Sequence, residues 1–390
     1  MDCVDVLCRL IEFDTSGAGA GGCRQAFAYL DGLFVQCNCD TTVVSIPPTE
    51  ADGLEGRMAL VAHRRAPDRP RLIIYGHIDV VPAEGWAAFT PRRVNDRIFG
   101  RGASDMKGAI ASLVWALWRI RALSSAFDVT VLLTMDEETH QMSQLRYLTP
   151  FLDAGLRPHV LSLDGGCGYV SIAILGLLQM DITAVGRSVH SGLAHLGHNA
   201  VEGAVELMHA LKPLQEQVRR RRSVIPASPA TGLPYMEGRF NINRVDGGIA
   251  RNVVPDRCTF MIDRRLLPDE AVDAARDEIL AALREVPGVE WHVSREFSIP
   301  SVPPCADPLA LELAEIQTLV SGSTGLYGDM LSGELPCAAR RFWGGDAFAT
   351  GLIRPENSVH GVDEFVYASD LQRLAEVLAR FLTVDQKEAA

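Results

Sequence analysis

Residues able to ligate a cation or carry a proton stand where apolar runs stop: His77, Asp79, Asp105, Glu137, Glu138 and Asp164. His77 and Asp79 follow the apolar stretch 72–75, separated only by Ile78. An extended backbone there points both side chains to one face. Asp105 lies in a turn-rich stretch, Arg101-Gly102-Ala103-Ser104-Asp105, ahead of a periodic apolar run. Glu137 and Glu138 follow the β-branched and leucine run 129–134, and Asp164 precedes Gly165-Gly166. Imidazole and carboxylate donors suit a hard or borderline divalent cation. Several acids in one crevice are costly unless cations balance them, and two ions balance them better than one. Each residue alone has a plainer reading. An HxD pair is weakly specific, Asp105 can cap a helix, two glutamates favour a helix start, and aspartate before glycine suits a turn. The weight lies in their joint placement at successive strand ends, where open α/β sheets form their ligand crevice.

The elements that must position these residues alternate strand and helix over the first 170 or so residues, which reads as α/β. Expected strands at 72–75, 129–134 and 159–163 are apolar throughout, as in the centre of a mainly parallel sheet covered on both faces. Expected helices span 4–13, 23–34, 107–123 and 142–154. Near Gly176 the pattern changes. Leu178, Met180, Ile182 and Ala184 alternate with Gln179, Asp181 and Thr183, giving a strand with one wet face. Helix, strand, strand, helix and strand follow, a βαββαβ order of ferredoxin-like type. A proline-rich stretch at 298–304 then returns the chain to α/β pattern. The expectation is a discontinuous catalytic domain, 1–176 and 297–390, with an inserted α+β domain at 177–296.

Length supports more than one core: the chain has 390 residues, 47% of them hydrophobic. Its 37 basic and 49 acidic residues leave a net charge of −12. That balance argues against nucleic acid or an anionic membrane as the main partner. The opening MDCVDVLCRLIEFDTSG carries early acids and lacks the pattern of a signal peptide. No stretch approaches the ~18–20 apolar residues of a membrane span. Nine scattered cysteines without a CxxC pair read as small buried hydrophobes in a reducing compartment. A cytoplasmic protein is expected. The run Arg219–Arg222 reads as a solvated helix end, and Trp115 and Trp118 as helix packing.

In order along the chain, HIDVVP, GRGASDMKG, DEE, SVHSG with GHNA, RNVVP with DRRLLP, and NSVHGVDEF resemble the acetylornithine deacetylase / succinyl-diaminopimelate desuccinylase / glutamate carboxypeptidase family of co-catalytic zinc amidohydrolases and exopeptidases. The resemblance covers nearly the whole chain. It implies two divalent ions, zinc foremost, with cobalt or manganese as alternatives. By that likeness His77 and Asp164 would bind one ion, Glu138 and His360 the other, and Asp105 would bridge them. Asp79 would accept the His77 ring N–H and fix its tautomer. Glu137 would take a proton from the attacking water and deliver it to the leaving nitrogen. His190, in the inserted domain, would reach the substrate carbonyl, from the same chain or a partner subunit. Asn252 and Arg265 would hold a substrate carboxylate, which a guanidinium fork suits. The insert would act as lid and as the contact surface of a homodimer. The implied activity is deacylation of an N-acylated amino acid or related amine. Dipeptidase or carboxypeptidase action is the alternative, and a catalytically silent binding protein a third reading. Three departures from the family pattern bear on the substrate: Thr139-His140-Gln141-Met142-Ser143 where glycines are usual, Asp164 where the deacylases usually carry glutamate, and Ala194 where a proline is common.

Overall fold

The stretch 72–75 forms part of the strand Arg71–His77, and its surroundings explain its unbroken apolarity. Leu72 and Ile74 are buried in one core, Ile73 and Tyr75 in another. Successive side chains point to opposite faces, so a strand covered on both sides has no polar position to offer. In this computed structural model, residues 1–16, 21–139, 141–153, 157–322 and 325–384 are described.

Arg71–His77 pairs in parallel with Asp128–Thr134 on one side and His159–Cys167 on the other. His159–Cys167 pairs in parallel with Ala347–Gly351. Antiparallel strands extend the sheet beyond Asp128–Thr134, first Met58–Arg64 and then Asp40–Ser45. Val170–Ala173 and Leu326–Gly328 complete the far edge of an eight-stranded sheet. The fold class is therefore α/β with a sheet parallel at its centre.

Helices Cys3–Ile11, Lys107–Arg119 and Ala368–Phe381 contribute to the core on one face. Met142–Leu148 and Leu335–Ala338 contribute to the core on the other. The helix expected at 142–154 is shorter than read. It ends at Leu148 and tightens into a 3-10 turn, Thr149–Phe151, because Pro150 has no N–H to continue the α-helical ladder. Residue 154 lies outside the described residues. Trp115 and Trp118 pack against the helical core, with Arg119 and Arg121 stacked over their rings.

This first unit comprises Met1–Ile172, Cys305–Tyr327 and Glu334–Ala390. The second takes Ala173–Pro304 together with Gly328–Gly333, a short stretch from within 297–390. Its sheet has the order Arg239–Gly247, Arg257–Leu266, Gly176–Val185, Glu290–Ile299, antiparallel throughout. With helices Ala200–Ala210 and Val272–Arg284 between strands, this is the βαββαβ arrangement. Leu178, Met180, Ile182 and Ala184 join the helical side chains in one buried cluster, which places the alternation read from the sequence on its inner face.

Candidate metal centre

His77 is the last residue of the Arg71–His77 strand, and Gly76 before it is closely packed. A Cβ at Gly76 would lie 2.9 Å from Met106 Cε and 3.2 Å from Leu133 Cδ2. The absent side chain lets the 101–106 loop close over the strand end, where the His77 amide donates to Met106 Sδ at 3.3 Å. Glu137 and Glu138 occupy the turn after Asp128–Thr134. Asp164 departs from expectation. The strand does not stop before it but runs on to Cys167, with a register shift between Ala349 and Gly351 in the neighbouring strand. Asp164 therefore projects from an irregular stretch of strand rather than from a turn.

The side chains converge. His77 Nδ1 lies 3.1 Å from the Asp79 carbonyl oxygen and 3.4 Å from Asp79 Oδ1. A ring nitrogen facing a carbonyl oxygen must donate, so in the neutral ring Nε2 carries the lone pair. The main-chain oxygen thus meets this N–H more closely than the carboxylate does. Asp79 Oδ2 instead accepts the Glu138 amide at 3.0 Å. His77 Nε2 lies 3.3 Å from Asp105 Oδ1 and 4.0 Å from Glu137 Oε2. His360 Nε2 lies 3.2 Å from Asp105 Oδ2 and 3.1 Å from Glu138 Oε2. Asp105 therefore turns one oxygen to each imidazole. Ligand atoms of His77, Asp105 and Glu138 fall within 4.8 Å of one another, as do those of His77, Glu137 and Asp164.

The electrostatics are those of a site built around positive charge. Burial, reinforced by Asp164, Asp105 and Glu138, raises Glu137 well above the usual carboxylate range, although His77 acts against it. Burial opposes charging His77, but the Asp105 and Asp79 carboxylates overcome it and raise the imidazole well above its ordinary value. Hydrogen bonding to Asp105 and Glu138 raises His360 to about 10. Three polar atoms of the cluster, His77 Nε2, Asp79 Oδ1 and Glu138 Oε1, are buried with no hydrogen-bond partner among the described residues. Uncompensated buried polar atoms are costly. A nitrogen and carboxylate donor set of this kind fits zinc, cobalt or manganese, so the residues present fit divalent cations.

A second ring of residues, not singled out from the sequence, ties the centre together. Glu364 is fully buried. Its Oε1 accepts the amides of Ser104 (3.0 Å) and Asp105 (3.2 Å). Its Oε2 accepts Gly102 N (3.0 Å) and Arg101 Nη1 (2.8 Å). Arg101 Nη2 donates to the His360 carbonyl at 3.2 Å. The single Ser104 hydroxyl proton is shared between Asn357 Oδ1 at 3.1 Å and the Leu352 carbonyl at 3.2 Å. Both Glu364 and Arg101 lie inside quoted motifs, but nothing local marks two residues 263 apart as partners. Behind the glutamate pair, Asp136 meets Arg57 at 3.1 Å and accepts from Gln144 at 2.9 Å.

The remaining expected site residues lie in the second unit. His190 and Asn252 come together there: Val189–His190 pairs with Val253–Val254, and the Ser191 amide donates to the Asn252 carbonyl at 2.9 Å. His190 is exposed, its Nδ1 accepting the Gly192 amide. Arg265 donates to Asp263 at 2.8 Å and to Ser332 Oγ at 3.2 Å. Arg264 faces the helical side, fully buried and paired with Glu278 and Glu270, which leaves Arg265 as the partly exposed arginine of the two. His140 lies outside the described residues.

A family model described as peptidase family M20/M25/M40 matches residues 73–384. A probable carboxypeptidase of Aspergillus terreus is 29% identical over 268 residues, covering 66% of this chain and 59% of its own length. A succinyl-diaminopimelate desuccinylase of Delftia acidovorans is 27% identical over 340 residues, 83% of each chain. Among solved structures, an M20 family metallo-carboxypeptidase from Sulfolobus solfataricus superposes with a TM-score of 0.75 at 17% identity, covering 98% of both chains. At that identity the likeness speaks for the fold.

Proposed function

Since the chain belongs to peptidase family M20/M25/M40 and is a hydrolase of amide bonds, we propose that it is a dinuclear metal amidohydrolase that removes the acyl group from an N-acylated amino acid or related small amine. The observation that carries this reading is Asp105, with one oxygen 3.3 Å from His77 and the other 3.2 Å from His360. A carboxylate so placed suits a bridge between two cations.

In this reading His77 and Asp164 hold one ion, Glu138 and His360 the other, and Asp105 serves both. Two such ions, zinc foremost, supply Lewis acidity to the scissile carbonyl and acidify a water. The protein's own part is proton handling and orientation. Glu137, beside the ligands, takes a proton from the attacking water and returns it to the leaving nitrogen. Asp79 holds the His77 ring in the tautomer that presents Nε2. His190, Asn252 and Arg265 are the proposed contacts of the substrate's carbonyl and carboxylate. The second unit is proposed as lid and as the contact of a homodimer, and the setting as cytoplasmic. Among the described residues no helix is long and apolar enough to cross a membrane. Peptide hydrolysis is the second reading, favoured by the match to a probable carboxypeptidase.

The test is a panel of N-acetyl, N-succinyl and N-formyl amino acids against dipeptides, assayed on protein loaded with zinc or cobalt. Glu137→Gln should retain two ions per chain and lose about 10²–10⁴-fold in kcat. Full turnover by ion-loaded Glu137→Gln would sink the mechanism, and turnover of dipeptides alone would select the second reading.

A further inference from the structure

Glu364 is poorly explained as a stabilising residue alone. A fully buried carboxylate carries a large desolvation penalty that well-placed donors only offset. Here the donors are distributed in a particular way. One oxygen receives the amides of Ser104 and Asp105, the residue that faces both imidazoles. The other receives Gly102 N and one arm of the Arg101 guanidinium. The second arm of Arg101 reaches the carbonyl of His360. His360 itself sits at φ +62°, with Ser358 at +54° and Asp363 at +56° beside it. Such angles are uncommon outside glycine, and three of them within six residues mark an unusual chain path. The Arg101 contact falls on the carbonyl of the strained residue.

We propose that Glu364 is a positioning residue of the metal centre, setting the Asp105 main chain directly and the His360 main chain through Arg101, so that the two side chains meet at the spacing one ion requires. This rests on the two-ion reading above. The two arms are chemically separable. In Glu364→Gln the amide oxygen can still accept from Ser104 and Asp105, but the NH2 group replaces the acceptor that Arg101 shares with the Gly102 amide. In Arg101→Lys the charge opposite Glu364 is kept, while the planar fork that reaches two acceptors at once is lost. Both changes release His360 and leave Asp105 anchored.

The experiment titrates metal-free wild type, Glu364→Gln, Arg101→Lys and His360→Ala with Co²⁺. It follows ions bound per chain by equilibrium dialysis, the visible cobalt absorption, and the far-UV circular dichroism. Wild type should bind two ions. Both brace variants should keep the wild-type fold and one ion at wild-type affinity. The other ion, the one His360→Ala also weakens, should bind about 10–100-fold less tightly, with an altered visible spectrum that a merely structural role would not produce. Two ions at wild-type affinity and spectrum in the folded variants would overturn the proposal, and so would equal weakening of both ions. If Glu364→Gln does not fold, Arg101→Lys decides by the same criteria. Failure of wild type to bind any ion would instead remove the two-ion reading and leave the brace as fold support.

Discussion

His360 lies between the carboxylates of Asp105 and Glu138, and that position fixes the sign of a pH effect. The hydrogen bonds to them raise it from 6.5 to about 10 in the ion-free protein, so it is protonated at neutral pH. In that state the shift stabilises the fold fully below about pH 6.5, and the contribution disappears as pH climbs through about 10. A cation needs the neutral ring, so binding must expel the proton. Ion affinity should therefore rise with pH, by up to about tenfold per unit for each proton released, levelling off near the raised value. Calorimetry at pH 7 in two buffers of different ionisation enthalpy measures the released protons, and a value of zero would contradict the arrangement. At this scale the convergence of His77, Asp105, Glu137, Glu138 and Asp164 was legible, because acids that follow apolar strands have few inexpensive explanations when taken together, whereas His360 was reached only through the family resemblance. Glu364 and Arg101 were not legible, since each looks like an ordinary surface charge until its partner arrives from the other end of the chain. Asp164 was found but misplaced, because Gly165-Gly166 reads as a turn while the backbone stays in the sheet.

Among elements, the loop that carries Asp105 depends on Gly102. Its φ is +82°, and a Cβ would lie 2.8 Å from Val80 Cγ1 and 2.9 Å from Lys107 Cδ. Lys107 itself is fully buried, donating to the Phe13 carbonyl at 2.9 Å, and has little room to retreat. Gly102→Ala should destabilise the protein by about 2 kcal/mol or more, combining backbone strain with overpacking. Urea denaturation would measure it, and an unchanged midpoint would show that the loop relaxes. The central strands could be read because both faces of each are covered, so their whole length is apolar. A ribbon formed by Arg92–Val94, Arg97–Phe99 and Phe365–Tyr367 could not. Its first strands are three residues long and charged, around a turn at Asn95, φ +54°. They pair with each other across that turn, and Arg97–Phe99 pairs in addition with the distant Phe365–Tyr367.

Across the whole molecule, the cysteines supply a test that does not involve the metal centre. Burial pushes Cys23 and Cys39 up to about 12 and Cys37 up to about 11. The thiolate is the nucleophile, so these thiols should resist iodoacetamide at pH 8 in the native protein and react after denaturation. Mass spectrometry of the labelled peptides checks this, and rapid native labelling would mean the core opens. The sign of the linkage also follows. Between the ordinary thiol value of 9.0 and these raised values the native state holds protons the unfolded chain has lost. Stability from these groups is therefore intact below pH 9 and falls as pH rises through 11 to 12. The change of pattern near Gly176 was readable because a one-sided sheet leaves alternation in the sequence. The excursion of Gly328–Gly333 into the second unit was not, since six residues without periodicity carry no such mark.

The bonds from Glu364 to Arg101 and Gly102 have a consequence for how the protein is made. They span 263 and 262 residues, and Ser112 is tied to Leu371 across 259 more. A ribosome delivers Arg101, Gly102 and Ser112 long before Glu364 and Leu371. Contacts of such separation are slow to form, so the loop that carries Asp105 is braced only once the segment that carries Glu364 has been made.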